Sequence, residues 1–221
     1  MPWRPSFWRW SQRAGAGVSK RARLDAVRWI VLDSELTSLD SKSNRLLSVG
    51  AMVMQGSRIC LGEQFYRVVN PGVPVPAQTI LIHGLRPSDV AEGEPPRQVL
   101  QELIEFSAGA VLVGHFVRID LEVLRKESRA AGLEFHIPGI DTARAHRWLS
   151  LHNKRSPDAW DDRDDALDLV SVARAHKIDV EDSHHALYDA FLTARLWQKL
   201  LHELARADVQ TLGQLMRIAR A

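Results

Sequence analysis

The sequence predicts a mixed α/β fold, a five-stranded sheet with helices on its faces. Three observations predict it. Residues 28 to 69 hold three strand-length apolar runs joined by turn signals, the pattern of a meander. Residues 95 to 150 then alternate helical periodicity with two short buried runs, the pattern of strands covered by helices. The last third of the chain is helical throughout, which supplies the layers that a sheet buried on both faces requires.

The elements follow in order. "WIVLDSE" gives a first strand at about 28 to 34, since four consecutive apolar residues, Trp29 to Leu32, read as a buried strand. "LLSVGAMVM" gives a second at about 46 to 54. "QGSR" is a turn, and "ICLGEQFYRVV" returns as a third. Pro71, Pro74 and Pro76 break the pattern before a short helix over "AQTILIHGL". "PPRQVLQELIEFSAG" is a helix with Val99, Leu100, Leu103, Ile104 and Phe106 on its apolar side. "AVLVGH" is a buried strand, and "IDLEVLRKESRAAG" is a helix stopped by Gly132. A fifth short strand lies near Ile140. Helices are expected at about 142 to 150, 163 to 176, 185 to 202 and 208 to 219. No repeat or low-complexity tract interrupts this order.

Composition bounds the class. The 221 residues are 45% hydrophobic and 25% charged, ordinary for one sizeable domain with extensions. A single cysteine, Cys60, excludes an internal disulfide and a cysteine-rich zinc site. With no visible signal peptide and no apolar run near the roughly 20 residues of a membrane span, the expected setting is cytoplasmic. The net charge of +2 hides an asymmetry. Residues 1 to 28 carry seven basic residues against Asp25 alone, a net of +6, so the remainder carries −4. Residues 1 to 27 form a basic arm that also holds Trp3, Phe7, Trp8 and Trp10. Such an arm suits stacking on single-stranded bases, contact with a membrane surface, packing on the body or on a second subunit, or an organellar transit peptide. The body runs from 28 to 203. Residues 204 to 221 form an amphipathic C-terminal helix, with Leu212, Leu215, Met216 and Ala219 on one side, expected to pack on the body.

The acids carry the chemistry. Strand side chains alternate, so Asp33 and Glu35 at the end of the first strand face the same way. Two carboxylates about 4 Å apart repel by roughly 4 kcal/mol at an effective dielectric of about 20, so solvent, basic partners or a cation must offset them. Asp120 stands just past the strand "AVLVGH". Asp189 sits in an apolar helical row with Leu192, Leu196 and Leu200, and a buried charge is costly unless paired or bound to metal. Each acid alone fits a turn, a cap or an ion pair. Together they form an oxygen-only ligand set suited to hard cations such as Mg²⁺ or Mn²⁺. Clustered carboxylates are what a two-metal phosphoryl-transfer site requires. The acidic stretch "PDAWDDRDDALDLV" reads instead as a solvated loop and an Asp-rich helix start.

"VLDSELTSLD", "LVGHFVRID" and "HHALYDA" resemble, in order, the three motifs of the DEDDh 3′–5′ exonucleases. That family includes the epsilon proofreading subunit of DNA polymerase III, RNase T and oligoribonuclease. The resemblance runs from about Arg28 to Leu201, making the body an exonuclease domain. It implies an RNase H-like fold with sheet order 3-2-1-4-5. It implies release of nucleoside 5′-monophosphates from single-stranded or frayed 3′ ends of DNA or RNA. Asp33, Glu35, Asp120 and Asp189 would bind two divalent cations, and His184 would be the general base. Leu36 and Thr37 would line the terminal nucleotide, with His83 of the "IHGL" stretch as a further substrate contact. His115 would support the site or serve structure. Asp141-Thr142 also recurs in place. Helical spacing alone favours His185, four residues before Asp189, but the family's spacing of five selects His184.

The chain departs from the family at Leu36, Ser38 and Phe116, where D-x-E-T-T/S-G and H-N-x-x-F-D would place Thr, Gly and Asn. These changes leave the five catalytic positions intact and bear on substrate preference. Nucleic acid is the expected partner, with a polymerase or a second copy of the chain beside it. The alternative function is a catalytically weak module acting as a nucleic-acid-binding or polymerase-associated scaffold.

Overall fold

The computed structural model describes residues 17–38, 40, 42–152, 167–181 and 185–221. The central strand β1 (Arg28–Leu36) pairs antiparallel with β2 (Leu46–Gln55), which pairs antiparallel with the edge strand β3 (Arg58–Val68). On its other side β1 runs parallel to β4 (Val111–Gly114), which runs parallel to β5 (Gly139–Asp141). The order is β3-β2-β1-β4-β5, as the resemblance implies. β1 is two residues longer than its apolar pattern indicates. Asp33 pairs with Gly50 and Glu35 with Ser48, so the acids stand on the strand itself and not in the loop after it.

Helices cover the sheet: α1 (Ala77–His83), α2 (Pro87–Ala91), α3 (Pro96–Phe106), α4 (Arg118–Ala130), α5 (Thr142–His152), α6 (Leu169–Ala175), α7 (Ala186–Arg206) and α8 (Leu212–Ala219). The alternation of β1 sorts them into two layers. Ile30 and Leu32 face a core with Val99, Leu100 and Leu103 of α3 and Leu121 and Leu124 of α4. Trp29 and Val31 face the opposite core, with Leu192, Leu196, Trp197 and Leu200 of α7. Trp29 and Trp197 meet edge to face at 5.4 Å, which pins the middle of α7 across β1. His176 bridges α5 and α7, with one ring nitrogen 3.0 Å from His146 and the other 3.0 Å from Glu203.

The helix ends differ from the sequence reading where local chemistry outweighs periodicity. α2 was not expected. Five residues are too few for a periodic signal, and its start is held by Asp89, whose carboxylate accepts from Arg86 N–H at 2.9 Å. α7 runs one turn further than expected, because Leu204 continues its buried row. α8 begins at Leu212, later than 208, where Thr211 and Gln214 form a capping box. The acidic stretch lies largely outside the described residues. Its Asp168 caps α6 by accepting from Ser171 N–H at 2.9 Å.

Both ends of the described chain are tied to the body. Leu24 and Val27, in the last part of the arm, are buried. Leu24 N–H donates to the Gln210 carbonyl, Leu212 N–H to that of Ala22, and Gly213 N–H to that of Lys20. Residues 3 to 10, which hold the arm's aromatics, lie outside the described residues. α8 buries Leu212, Leu215 and Ala219, and Ala221 N–H donates to the Gly139 carbonyl. No helix among the described residues is long and apolar enough to cross a membrane.

Candidate active site

The strand alternation that divides the two cores also aims the acids. Asp33 and Glu35 continue the face of Trp29 and Val31, the face that α7 covers. Asp189, in the first turn of α7, meets them there. Each of the three offers a carboxylate oxygen, and these oxygens lie within 4.8 Å of one another.

Gly50 makes this approach feasible. It stands opposite Asp33 on β2, directly under the start of α7. A Cβ at Gly50 would lie 2.3 Å from Leu187 N and 2.4 Å from the Ala186 carbonyl carbon. Only a glycine lets the helix backbone come that close, and that depth sets Asp189 beside Asp33. Gly50 was missed as a site residue. The available signal was a lone glycine inside an otherwise apolar strand, which marks a close backbone approach.

Asp120 arrives from the other layer. It is the third residue of α4 and is buried. Ser34, on the opposite face of β1 from Asp33, donates its hydroxyl hydrogen to Asp120 Oδ1 at 2.5 Å. Asp120 is therefore outside the 4.8 Å set formed by the other three. Its charge still reaches them. Burial first, then the charges of Asp120, Glu35 and Asp189, hold the Asp33 carboxyl well above the ordinary carboxylate range. Burial, followed by Asp189 and Asp120, pushes Glu35 up to about 7. Burial also raises Asp120 to about 7, against the lowering effect of the Ser34 hydrogen bond. Asp33, Glu35 and Asp189, each part-exposed, gather in a crevice at the carboxyl ends of β1 and β4 with the buried Asp120 beside them, next to the point where strand direction reverses. A divalent cation fits such a donor set, because hard cations favour oxygen ligands and their charge offsets repulsion between neighbouring carboxylates.

The remaining expected residues have their own surroundings. Leu36 is half-buried against the α3–α4 core. Thr37 is buried, its Oγ1 accepting from Arg45 N–H at 2.9 Å and its own N–H donating to the Arg45 carbonyl at 3.0 Å. Arg45 in turn pairs with Glu127 of α4, so the turn after β1 is fixed to that helix. His83 is 5% exposed. Its Nδ1 accepts from Leu85 N–H at 3.0 Å, which leaves the ring proton on Nε2. That buried Nε2 has no hydrogen-bond partner among the described residues. Burial lowers the pKa of His83 and keeps the ring neutral near pH 7.

His184 lies outside the described residues. His185 directly precedes α7 and stacks on Tyr66, with ring centroids 4.5 Å apart. His115 is a buried structural ring. Nε2 is 2.6 Å from the Leu167 carbonyl and Nδ1 is 2.8 Å from Thr142 Oγ1. Burial lowers its pKa, so the neutral tautomer donates from Nε2 and accepts at Nδ1. Asp141 caps α5, accepting from Ala143 N–H at 2.9 Å.

Known proteins share this arrangement of chain. A model of the RNase T exonuclease family matches residues 30–197. The chain is 29% identical over 209 residues to a DNA polymerase III subunit epsilon-like protein of Rhodobacter capsulatus, covering 94% of this chain and 28% of that one. It is 28% identical to the DNA polymerase III subunit epsilon of Aquifex aeolicus, covering 80% of this chain and 81% of that one. The chain thus spans about a quarter of the Rhodobacter relative and most of the Aquifex one. Among solved structures, E. coli Exonuclease I in complex with a dT13 oligonucleotide superposes with a TM-score of 0.68 at 18% identity. That superposition covers 82% of this chain and 42% of that one, and it shows the shared fold. With the family model spanning every described acid of the crevice, the chain belongs to the RNase T exonuclease family and is of DEDDh type.

Proposed function

We propose that this protein is a divalent-metal-dependent 3′–5′ exonuclease. It removes nucleotides from single-stranded or frayed 3′ ends and releases nucleoside 5′-monophosphates. The observation that carries this reading is the convergence of Asp33, Glu35 and Asp189, with Asp120 beside them, in a crevice where burial and like charge oppose ionisation.

Asp33, Glu35 and Asp189 would hold one cation, and Asp33 with Asp120 a second, once Ser34 yields its share of Asp120. Mg²⁺ and Mn²⁺ suit the all-oxygen set. When bound, such a pair supplies the positive charge that prepares a water for attack and stabilises the leaving oxygen. The chain's own residues do the rest. His184 takes the proton from the attacking water; an imidazole suits that role because its ordinary pKa lies near working pH. The water oxygen bonds to the terminal phosphorus, the bond from phosphorus to O3′ breaks, and O3′ leaves with a proton. Leu36 lies against the terminal base, and the backbone around Thr37 reaches its sugar. The unpartnered Nε2–H of His83 donates to an oxygen of the same nucleotide. The polymerase names of the relatives support a cytoplasmic setting in which a polymerase, or a second copy of the chain, presents the 3′ end.

Digestion of matched DNA and RNA oligonucleotides, labelled at the 5′ end, tests this. Stepwise shortening from the 3′ end with Mg²⁺ or Mn²⁺, and none in EDTA, is the expected result. Full hydrolysis in EDTA, or shortening from the 5′ end, overturns the reading.

A further inference from the structure

We propose that Phe116 is a stacking platform for an unpaired nucleobase close to the 3′ end of the bound strand. The inference rests on the exonuclease reading of the carboxylate crevice. Phe116 follows the carboxyl end of β4 and precedes α4, four residues before Asp120. Ile119 N–H donates to the Phe116 carbonyl at 3.1 Å, a tight turn at the sheet end where Asp33 and Glu35 stand, since β4 runs parallel to β1 with Val113 beside Val31.

Two properties of Phe116 act against the stability of the fold. Its φ is +51°, a left-handed conformation that a bulky side chain rarely adopts. Its ring is 43% exposed. Its sequence neighbours fill the interior. Val117 is fully buried on one side, and His115 is locked on the other by Thr142 and the Leu167 carbonyl. The His115 ring meets the Phe116 ring edge-on at 4.8 Å, which props it upright. An asparagine, the family's residue here, takes a left-handed φ readily, so the backbone turn does not require phenylalanine. A strained, exposed aromatic on the turn that leads into Asp120 is suited to the flat face of a base, which stacks without regard to sequence. Ile119, also exposed, extends the apolar lip.

The test uses the full chain with Phe116→Ala, Phe116→Asn and Phe116→Trp. Loss of one base–aromatic stack, about 1 to 3 kcal/mol, corresponds to roughly 5- to 150-fold in affinity. KM for a short oligothymidylate should rise by about that factor in Phe116→Ala and Phe116→Asn, with kcat changing much less, and Phe116→Trp should restore it. Abasic substitution at successive positions from the 3′ end should weaken wild-type binding at one position and leave Phe116→Ala unaffected there. Phe116→Asn should raise Tm by about 1 to 3 °C through relief of the left-handed strain, a gain that a purely structural phenylalanine would not give. Fluorescence anisotropy with the same oligonucleotide in EDTA reads binding without turnover. If the wild type binds in EDTA but hydrolyses nothing once Mg²⁺ or Mn²⁺ is added, the exonuclease reading fails while the Kd comparison still decides on Phe116. Equal Kd and KM for wild type and Phe116→Ala overturn the platform and leave Phe116 as a face for a protein partner.

Discussion

Gly50→Ala adds one methyl group and no charge, yet it should disable the site. The new Cβ would sit 2.3 Å from Leu187 N, whereas ordinary van der Waals contact begins at 3.4 Å. Restoring ordinary contact requires the first turn of α7 and β2 to separate by about 1.1 Å, because the opposing atoms are backbone and cannot rotate away. Asp189 lies two residues beyond Leu187 and moves with that turn. A misplacement of about 1 Å in a catalytic constellation costs on the order of 10²-fold in rate. Overpacking adds about 1 to 3 kcal/mol of destabilisation, or a Tm lower by roughly 2 to 12 °C for a chain of this size. The assay pairs the rate of 3′ shortening of a labelled single strand with Tm, measured with and without Mn²⁺. Gly62→Ala is the control, since a Cβ there meets nothing within 4 Å. A folded Gly50→Ala protein with wild-type rate and wild-type stabilisation by Mn²⁺ would refute the claim that Gly50 sets the depth of α7.

Three further outcomes are expected. Asp33, Glu35 and Asp120 have folded-state pKa values above their ordinary ones, so the folded protein holds protons that the unfolded chain releases, and metal-free stability should fall as pH rises from about 4 to about 8. Glu35, carried from 4.5 to about 7, alone implies on the order of 3 kcal/mol; Mg²⁺ should remove the decline, while Asp33→Asn should raise the metal-free Tm near pH 8 and abolish turnover, and a flat Tm profile would contradict the electrostatic account. His184→Ala should lower kcat by about 10²- to 10⁴-fold while retaining Mn²⁺ stabilisation, and His185→Ala, which removes a ring stacked on Tyr66, should cost far less; reversed losses would show the motif to be registered one residue off. Deletion of residues 1 to 16 should leave turnover of a dinucleotide intact and weaken binding of long strands, more so at low salt, whereas a cut at 27 would also remove Leu24 and Val27 from the core and confound the result.

The parts of this molecule that were legible in the sequence are those fixed by period. Alternation in "WIVLDSE" placed Asp33 and Glu35 on one face, and the 3.6-residue row of Leu192, Leu196 and Leu200 placed Asp189 among buried neighbours. The strand runs gave the five strands of the sheet, and the resemblance to the DEDDh exonucleases gave their order, with β1 beside β4. What period cannot encode is the distance between layers. Nothing in the spacing of Asp33 and Asp189 says that α7 touches β2 closely enough for their oxygens to lie within 4.8 Å; that depends on the missing Cβ of Gly50. Nor does spacing say that Asp120 reaches the crevice from the opposite layer. The same alternation that turns Asp33 toward α7 turns Ser34 toward α4, and Ser34 is what holds Asp120 at the strand end. One strand thus serves both halves of the site, its odd residues supplying two carboxylates and its even residue holding a third. The carboxylate crevice closes only because β1 is the strand that both layers share.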